Sequence, residues 1–149
     1  MYKRILVPLD GSTRAEQILK HIEGLALANR SLVILLQVVQ PEIISDGYKS
    51  VMIQQTEELN QLRQQEARGY LAQIAAELRN KGINTQTVVE TGAVVASILR
   101  VAQKENAGLI AMASHGRTGL ARVFYGSVAA GVLQMVDRPL LLVRSRREV

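Results

Sequence analysis

Two short stretches of the chain combine residue types that bind anions or activate nucleophiles. The first is Pro8-Leu9-Asp10-Gly11-Ser12-Thr13, in which Pro and Gly shape a turn, Ser12 or Thr13 can cap a following helix, and Asp10 supplies a carboxylate. Asp10 serves equally well as a turn residue or as an acceptor for a ligand's hydroxyls. The second stretch is Ala113-Ser114-His115-Gly116-Arg117-Thr118-Gly119, followed after residues 120–125 by Gly126-Ser127 at the head of a helical pattern. Glycines let a backbone approach phosphate oxygens closely, and the N–H groups at a helix N-terminus add directed donors and a favourable dipole. No Asp or Glu occurs between Glu105 and Asp137, whereas His115, Arg117 and Arg122 do, so nothing acidic here repels an anion. A glycine-rich turn with Ser127 as N-cap accounts for the same residues without a ligand.

Other chemistries fit these residues less well. The sequence holds no Gly-Lys step and so no Walker A loop, and no Gly-x-Gly-x-x-Gly follows the first apolar run. Ser114 before a glycine suggests a hydrolase nucleophile elbow with His115 or His21 as base, but Met112 stands where that motif has its first glycine. A phospho-receiver or flavin domain would use a related sheet. The receiver needs an acidic pair after the first strand and a Lys after the last, where this chain has Asp10 alone and Arg144.

The elements that must position these loops are legible as periodicity. Residues 3–9, 32–39, 108–113 and 139–143 are short runs rich in Val, Ile and Leu, apolar on both faces, and residues 84–91 form a weaker strand pattern. Helical patterns over 12–29, 51–80, 93–106 and 127–136 lie between them. Alternation of this kind predicts a parallel sheet built from right-handed crossovers, with helices on both faces. Residues 41–50 form the one long irregular connection, a surface loop or a flap. Nothing divides residues 1–149, so a single domain is expected.

Composition narrows the functions further. The 149 residues include no cysteine, which removes disulfides, thiolate metal sites and cysteine nucleophiles together. The apolar run after Met1 is too short for a signal peptide and no stretch is long enough to span a membrane, so a cytoplasmic protein is expected. A net charge of +5 invites a nucleic-acid reading, but only four Tyr and one Phe are available to stack bases and the charges alternate in sign.

From end to end the chain resembles the universal stress protein family. The family signature, Gly-x-x-Gly, nine residues, then Gly-Ser or Gly-Thr, is matched by Ala113-Ser114-His115-Gly116, nine residues, and Gly126-Ser127, with Ala113 in place of the first glycine. Ile5-Leu6-Val7-Pro8-Leu9-Asp10-Gly11-Ser12, Leu35-Leu36-Gln37-Val38-Val39 and Arg138-Pro139-Leu140-Leu141-Leu142-Val143 are similar to three further family segments. The resemblance implies an adenine-nucleotide alpha hydrolase-like α/β fold with strand order 3-2-1-4-5. It implies ATP, with Mg2+ on its phosphates, bound by Pro8, Leu9, Asp10 and Val38 around adenine and ribose. Gly116, Gly126, Ser127 and Val128 would surround the phosphates, with Met112, Ala113, His115 and Arg117 completing the site. It implies a stress-response regulator or sensor working as a homodimer paired through Leu140–Val143. The family also has members that bind no nucleotide and act as protein-interaction modules. No strong base stands near the phosphate loop, so at most very slow ATP hydrolysis is expected.

Overall fold

The computed structural model of the protein describes residues 1–41, 49–114 and 126–145, with backbone alone for residues 49–55. The chain runs β1 (Arg4–Pro8), α1 (Thr13–Glu16), α2 (Leu19–Asn29), β2 (Leu32–Val39), α3 (Lys49–Asn80), β3 (Asn84–Thr91), α4 (Val94–Lys104), β4 (Leu109–Ala113), α5 (Ser127–Met135) and β5 (Leu140–Val143). All five strands are parallel in the order β3-β2-β1-β4-β5, as the resemblance implies. β1 pairs with β2 from Arg4↔Leu32 to Pro8↔Leu36, and on its other side with β4 at Ile5↔Leu109 and Leu6↔Ile110. The chain therefore leaves β1 in one direction and β4 in the other, which opens a crevice between their carboxyl ends.

Side-chain alternation along the strands splits the core into two layers. Ile5, Val7, Val33, Leu35, Leu109 and Ala111 pack under α1, α2 and α3, against Ile18, Ile22, Leu71, Ile74 and Leu78. Leu6, Ile34, Leu36, Ile110 and Met112 pack on the opposite face against Ile98, Val101 and Ala102 of α4 and Ala129 and Val132 of α5. β4, flanked on both sides and covered on both faces, is buried at all five residues, whereas the edge strand β3 is only partly covered, which explains its weaker apolar pattern.

The continuous helix expected over 12–29 is broken. Ser12 caps the short α1 by accepting from Ala15 N–H, and then Gln17 and Ile18 donate three residues back, to Arg14 and Ala15. This local tightening interrupts the helix although the apolar spacing of Ala15, Ile18, Ile22 and Ala26 runs through it. α3 begins at Lys49, two residues before the expected start. Residues 42–48, most of the expected irregular connection, lie outside the described residues. Asn106, with φ 52°, ends α4 in a left-handed turn in which Ala107 N–H bonds back to Ala102 C=O, a conformation Asn tolerates. Tyr70 of α3 donates to Glu16 Oε2 at 2.9 Å, and burial, reinforced by that carboxylate, raises the phenol above its ordinary pKa so that it stays the donor.

Gly92 joins β3 to α4 at φ 146°, and its N–H donates to Val39 C=O at 3.0 Å. A Cβ there would stand 3.3 Å from Ser97 Oγ in a backbone conformation that L residues rarely adopt. Gly92→Ala is expected to cost about 1–3 kcal/mol, read as a lower midpoint in urea denaturation with an unchanged slope.

Candidate functional site

The carboxyl edge of the sheet collects the first of the loops singled out from the sequence and the described ends of the second, Ser114 and Gly126. After Pro8, Leu9 N–H still donates to Leu36 C=O at 2.8 Å, and the chain then turns away through Gly11 at φ 85°. Asp10 Oδ1 accepts from Ser12 N–H at 2.9 Å and from Ser12 Oγ at 2.5 Å, while Ser12 Oγ accepts from Ala15 N–H at 3.1 Å. Asp10 is thus oriented by the turn it helps to build, and it remains partly exposed at the crevice.

Beside it, β2 outlasts β1. Leu36 C=O faces β1, so Val38, two residues on, turns its backbone N–H and C=O the same way, past the end of the β1 ladder. Val39, offset by one, faces β3 and accepts from Gly92. Val38 thereby presents a donor and an acceptor side by side to the crevice, the pattern that reads the edge of a base.

On the β4 side, Ser114 is tied at three atoms. Its N–H donates to Val143 C=O at 2.8 Å, its C=O accepts from Gly126 N–H at 2.5 Å, and its Oγ accepts from Ser145 N–H at 3.4 Å. With 2% of its surface exposed, Ser114 is a buried strand-end residue, and the exposed His21 sits on α2, so the two do not form a nucleophile and base. The bond from Gly126 to Ser114 holds the start of α5 at the end of β4, next to β1. Gly126 itself is the N-cap, with φ −60° and ψ 156°, and Ser127 is the first helical residue, which corrects the reading of Ser127 as cap. No side chain caps this helix, and its first intrahelical bond is Ala130 N–H to Gly126 C=O. The N–H groups of Ser127, Val128 and Ala129 precede that bond and have no partner within the helix, the arrangement that suits an anion. No acidic residue stands in the first turn.

Met112 and Ala113 end β4 with their side chains in the core, 6% and 7% exposed, so they border the crevice through backbone atoms. Ala113 keeps strand geometry, where the methyl that distinguishes it from the family's glycine brings no backbone strain. His115, Gly116 and Arg117 lie outside the described residues. Among the described residues no group of three His, Asp or Glu could hold a metal ion, and no helix is long and apolar enough to cross a membrane. The sequence reading missed Gln37, whose amide approaches the Gly11 turn across 26 residues of chain. An amide inside an otherwise apolar run, Leu35-Leu36-Gln37-Val38-Val39, was the available signal.

Comparison with known proteins agrees with this geometry. The profile of the universal stress protein family matches residues 1–144. Universal stress protein MJ0577 of Methanocaldococcus jannaschii is 29% identical over 157 aligned positions, covering 98% of this chain and 97% of that protein. The solved structure of hypothetical protein MJ0577 superposes with a TM-score of 0.86 at 30% identity over 99% of both chains. The fold is also shared, at 18% identity, with a universal stress protein in complex with cAMP (TM-score 0.71, 97% of this chain and 98% of that one) and with one from Archaeoglobus fulgidus in complex with dAMP (TM-score 0.66, 95% and 98%). With a family match across nearly its whole length and the sheet order and crevice to go with it, the chain belongs to the universal stress protein family.

Proposed function

We propose that this chain binds an adenine nucleotide, ATP foremost, in the crevice between β1 and β4, and that it acts as a regulatory or sensor dimer rather than as an efficient catalyst. The observation that carries this reading is the uncapped, acid-free N-terminus of α5, anchored beside the β1 turn by the Gly126–Ser114 hydrogen bond. The α5 N–H groups and the side chain of Ser127 would take the phosphates, with Gly116, His115 and Arg117 contributing from the signature loop. Asp10 would accept from ribose hydroxyls, and Val38 would pair through its backbone with the adenine edge, with Pro8 and Leu9 beneath. Mg2+ would enter on the phosphates, because the described residues offer no carboxylate cage for it. Relatives of this fold in complex with cAMP and dAMP support the ligand class.

Gly126 allows a clean test. Its φ of −60° and ψ of 156° are open to any residue, so Gly126→Val brings steric bulk to the phosphate position without backbone strain. ATP affinity by titration calorimetry is expected to fall tenfold or more, with the folded state losing only about 1 kcal/mol from the poorer N-cap. A parent that takes up no ATP at millimolar nucleotide, or a variant that binds as well as the parent, overturns the assignment.

The dimer reading rests on β5. It is the last strand of the sheet, paired among the described residues only to β4, and Leu140, Leu141, Leu142 and Val143 are all partly exposed in the single chain. An apolar edge of this kind invites pairing with a second copy about a two-fold axis. Leu141→Lys is expected to give monomeric or insoluble protein in sedimentation velocity, whereas a parent that sediments as a monomer at micromolar concentration removes the dimer.

A further inference from the structure

Leu133 is 49% exposed, although its helix packs into the core through Ala129 and Val132. Gly131 shows which flank of α5 it occupies. A Cβ on Gly131 would stand 2.7 Å from Cγ2 of Val95, so that flank lies against α4. Leu133, two residues on and about 200° around the helix, is on the opposite flank. Away from α4 the sheet continues through β4 to β5 and ends there, so Leu133 overhangs the open edge. It stands about 10 Å along α5 from Gly126, which is bonded to Ser114 beside Ser145. That descent equals about three strand residues and brings Leu133 to the level of Leu142.

The backbone of β5 alternates between its neighbour and the open side. Ile110 N–H donates to Pro139 C=O and Ser114 N–H to Val143 C=O, so Pro139, Leu141 and Val143 turn their backbone groups toward β4. Ser145 N–H, donating to Ser114 Oγ, continues that alternation. Leu140, Leu142 and Arg144 therefore direct N–H and C=O outward, where no described strand lies. The side chains of Leu140 and Leu142 lie on the α4–α5 face, the side from which Leu133 overhangs.

A second copy running antiparallel about a two-fold axis can use this edge in few registers, because outward residues must meet outward residues. Centred on Leu142, the pairing sets Leu142 opposite its copy and Leu140 opposite Arg144, so Leu140, Leu142 and Arg144 are all bonded on both chains. Centred on Leu141 it leaves Arg144 without a mate in the strand, and centred on Val143 it leaves Leu140 without one. The Leu142 centre also keeps the two Arg144 side chains at opposite ends of the ladder, where like charges do not face each other. We propose that the β5 edge takes a second copy of this chain in one register, with the two-fold axis at Leu142, and that Leu133 of each protomer closes over the seam. This inference rests on the dimer reading above and deepens it.

The absence of cysteine from the chain makes cysteine scanning unambiguous. In this register the two Leu142 Cα atoms stand about 5.5 Å apart, within the span of a disulfide. Residues 141 and 143 lie diagonal to their own copies, about 7–8 Å away and out of reach. Leu142→Cys is expected to give a covalent dimer on a non-reducing gel after copper–phenanthroline oxidation, with Leu141→Cys and Val143→Cys remaining mostly uncoupled. Cross-linking at 141 or 143 in place of 142 overturns the register and leaves the β5 dimer standing. A parent that sediments as a monomer, or a dimeric parent of which none of the three variants cross-links, overturns the β5 dimer and this inference with it. Leu133→Gln is expected to raise the dimer Kd about tenfold or more by sedimentation equilibrium, because the two-fold counts the change twice. Leu27→Gln, at a residue 52% exposed on α2, is expected to leave the Kd unchanged. A Leu133→Gln variant that dimerises as tightly as the parent overturns the closure over the seam.

Discussion

The crevice depends on one backbone hydrogen bond, from Gly126 N–H to Ser114 C=O. Ser114 follows β4, Gly126 precedes α5, and the bond ties the start of the helix to the end of the strand. Without it the helix would still cover β4, because Ala129 and Val132 belong to the core, but its first turn would not be held at the strand end. Ser114 is a good anchor because it is itself fixed, with its N–H on Val143 and its Oγ accepting from Ser145. The β4–β5 pairing, the loop closure and the orientation of the α5 dipole therefore form one connected unit. Parallel pairing of β4 to β1 then carries that unit to the Asp10 turn.

The two core layers perform a different task. They bury the strands on both faces, so side chains near the middle of the sheet have no access to a ligand, and function is confined to strand ends. Leu36 and Val38 show how sharp that boundary is. Two residues apart on the same side of β2, one completes the ladder to β1 and the other faces open space because β1 has already turned away at Gly11. A length mismatch between neighbouring strands, rather than a special residue, creates the donor–acceptor pair.

Much of this was legible in the sequence where the physics is local. Strands 32–39 and 84–91 appear with their expected bounds, β1 is one residue shorter at each end and β4 and β5 begin one residue later than expected, because β-branched runs between glycine, proline and polar turns admit little else. The break between α1 and α2 was not legible, since the apolar spacing of Ala15, Ile18 and Ile22 satisfies a continuous helix and only the three-residue hydrogen bonds reveal the interruption. At the site, Asp10, Gly126 and Ser127 were recognisable from the turn chemistry and the spaced glycines. Gln37 was not, because its approach to the Gly11 turn depends on a neighbour distant in the chain.

The glycines around the carboxyl edge also separate by physical role. Gly11 and Gly92, outside the signature, hold positive φ and answer to the backbone. Gly126 does not: at φ −60° and ψ 156° its conformation suits any residue, so the backbone does not account for glycine there. Ala113 makes the same argument in reverse. It occupies a strand position whose side chain enters the core beneath α1–α3, and an added methyl there packs against protein instead of entering the crevice. The chain has therefore departed from the family pattern at a position where a Cβ is absorbed by the core, and has kept glycine at the N-cap of α5.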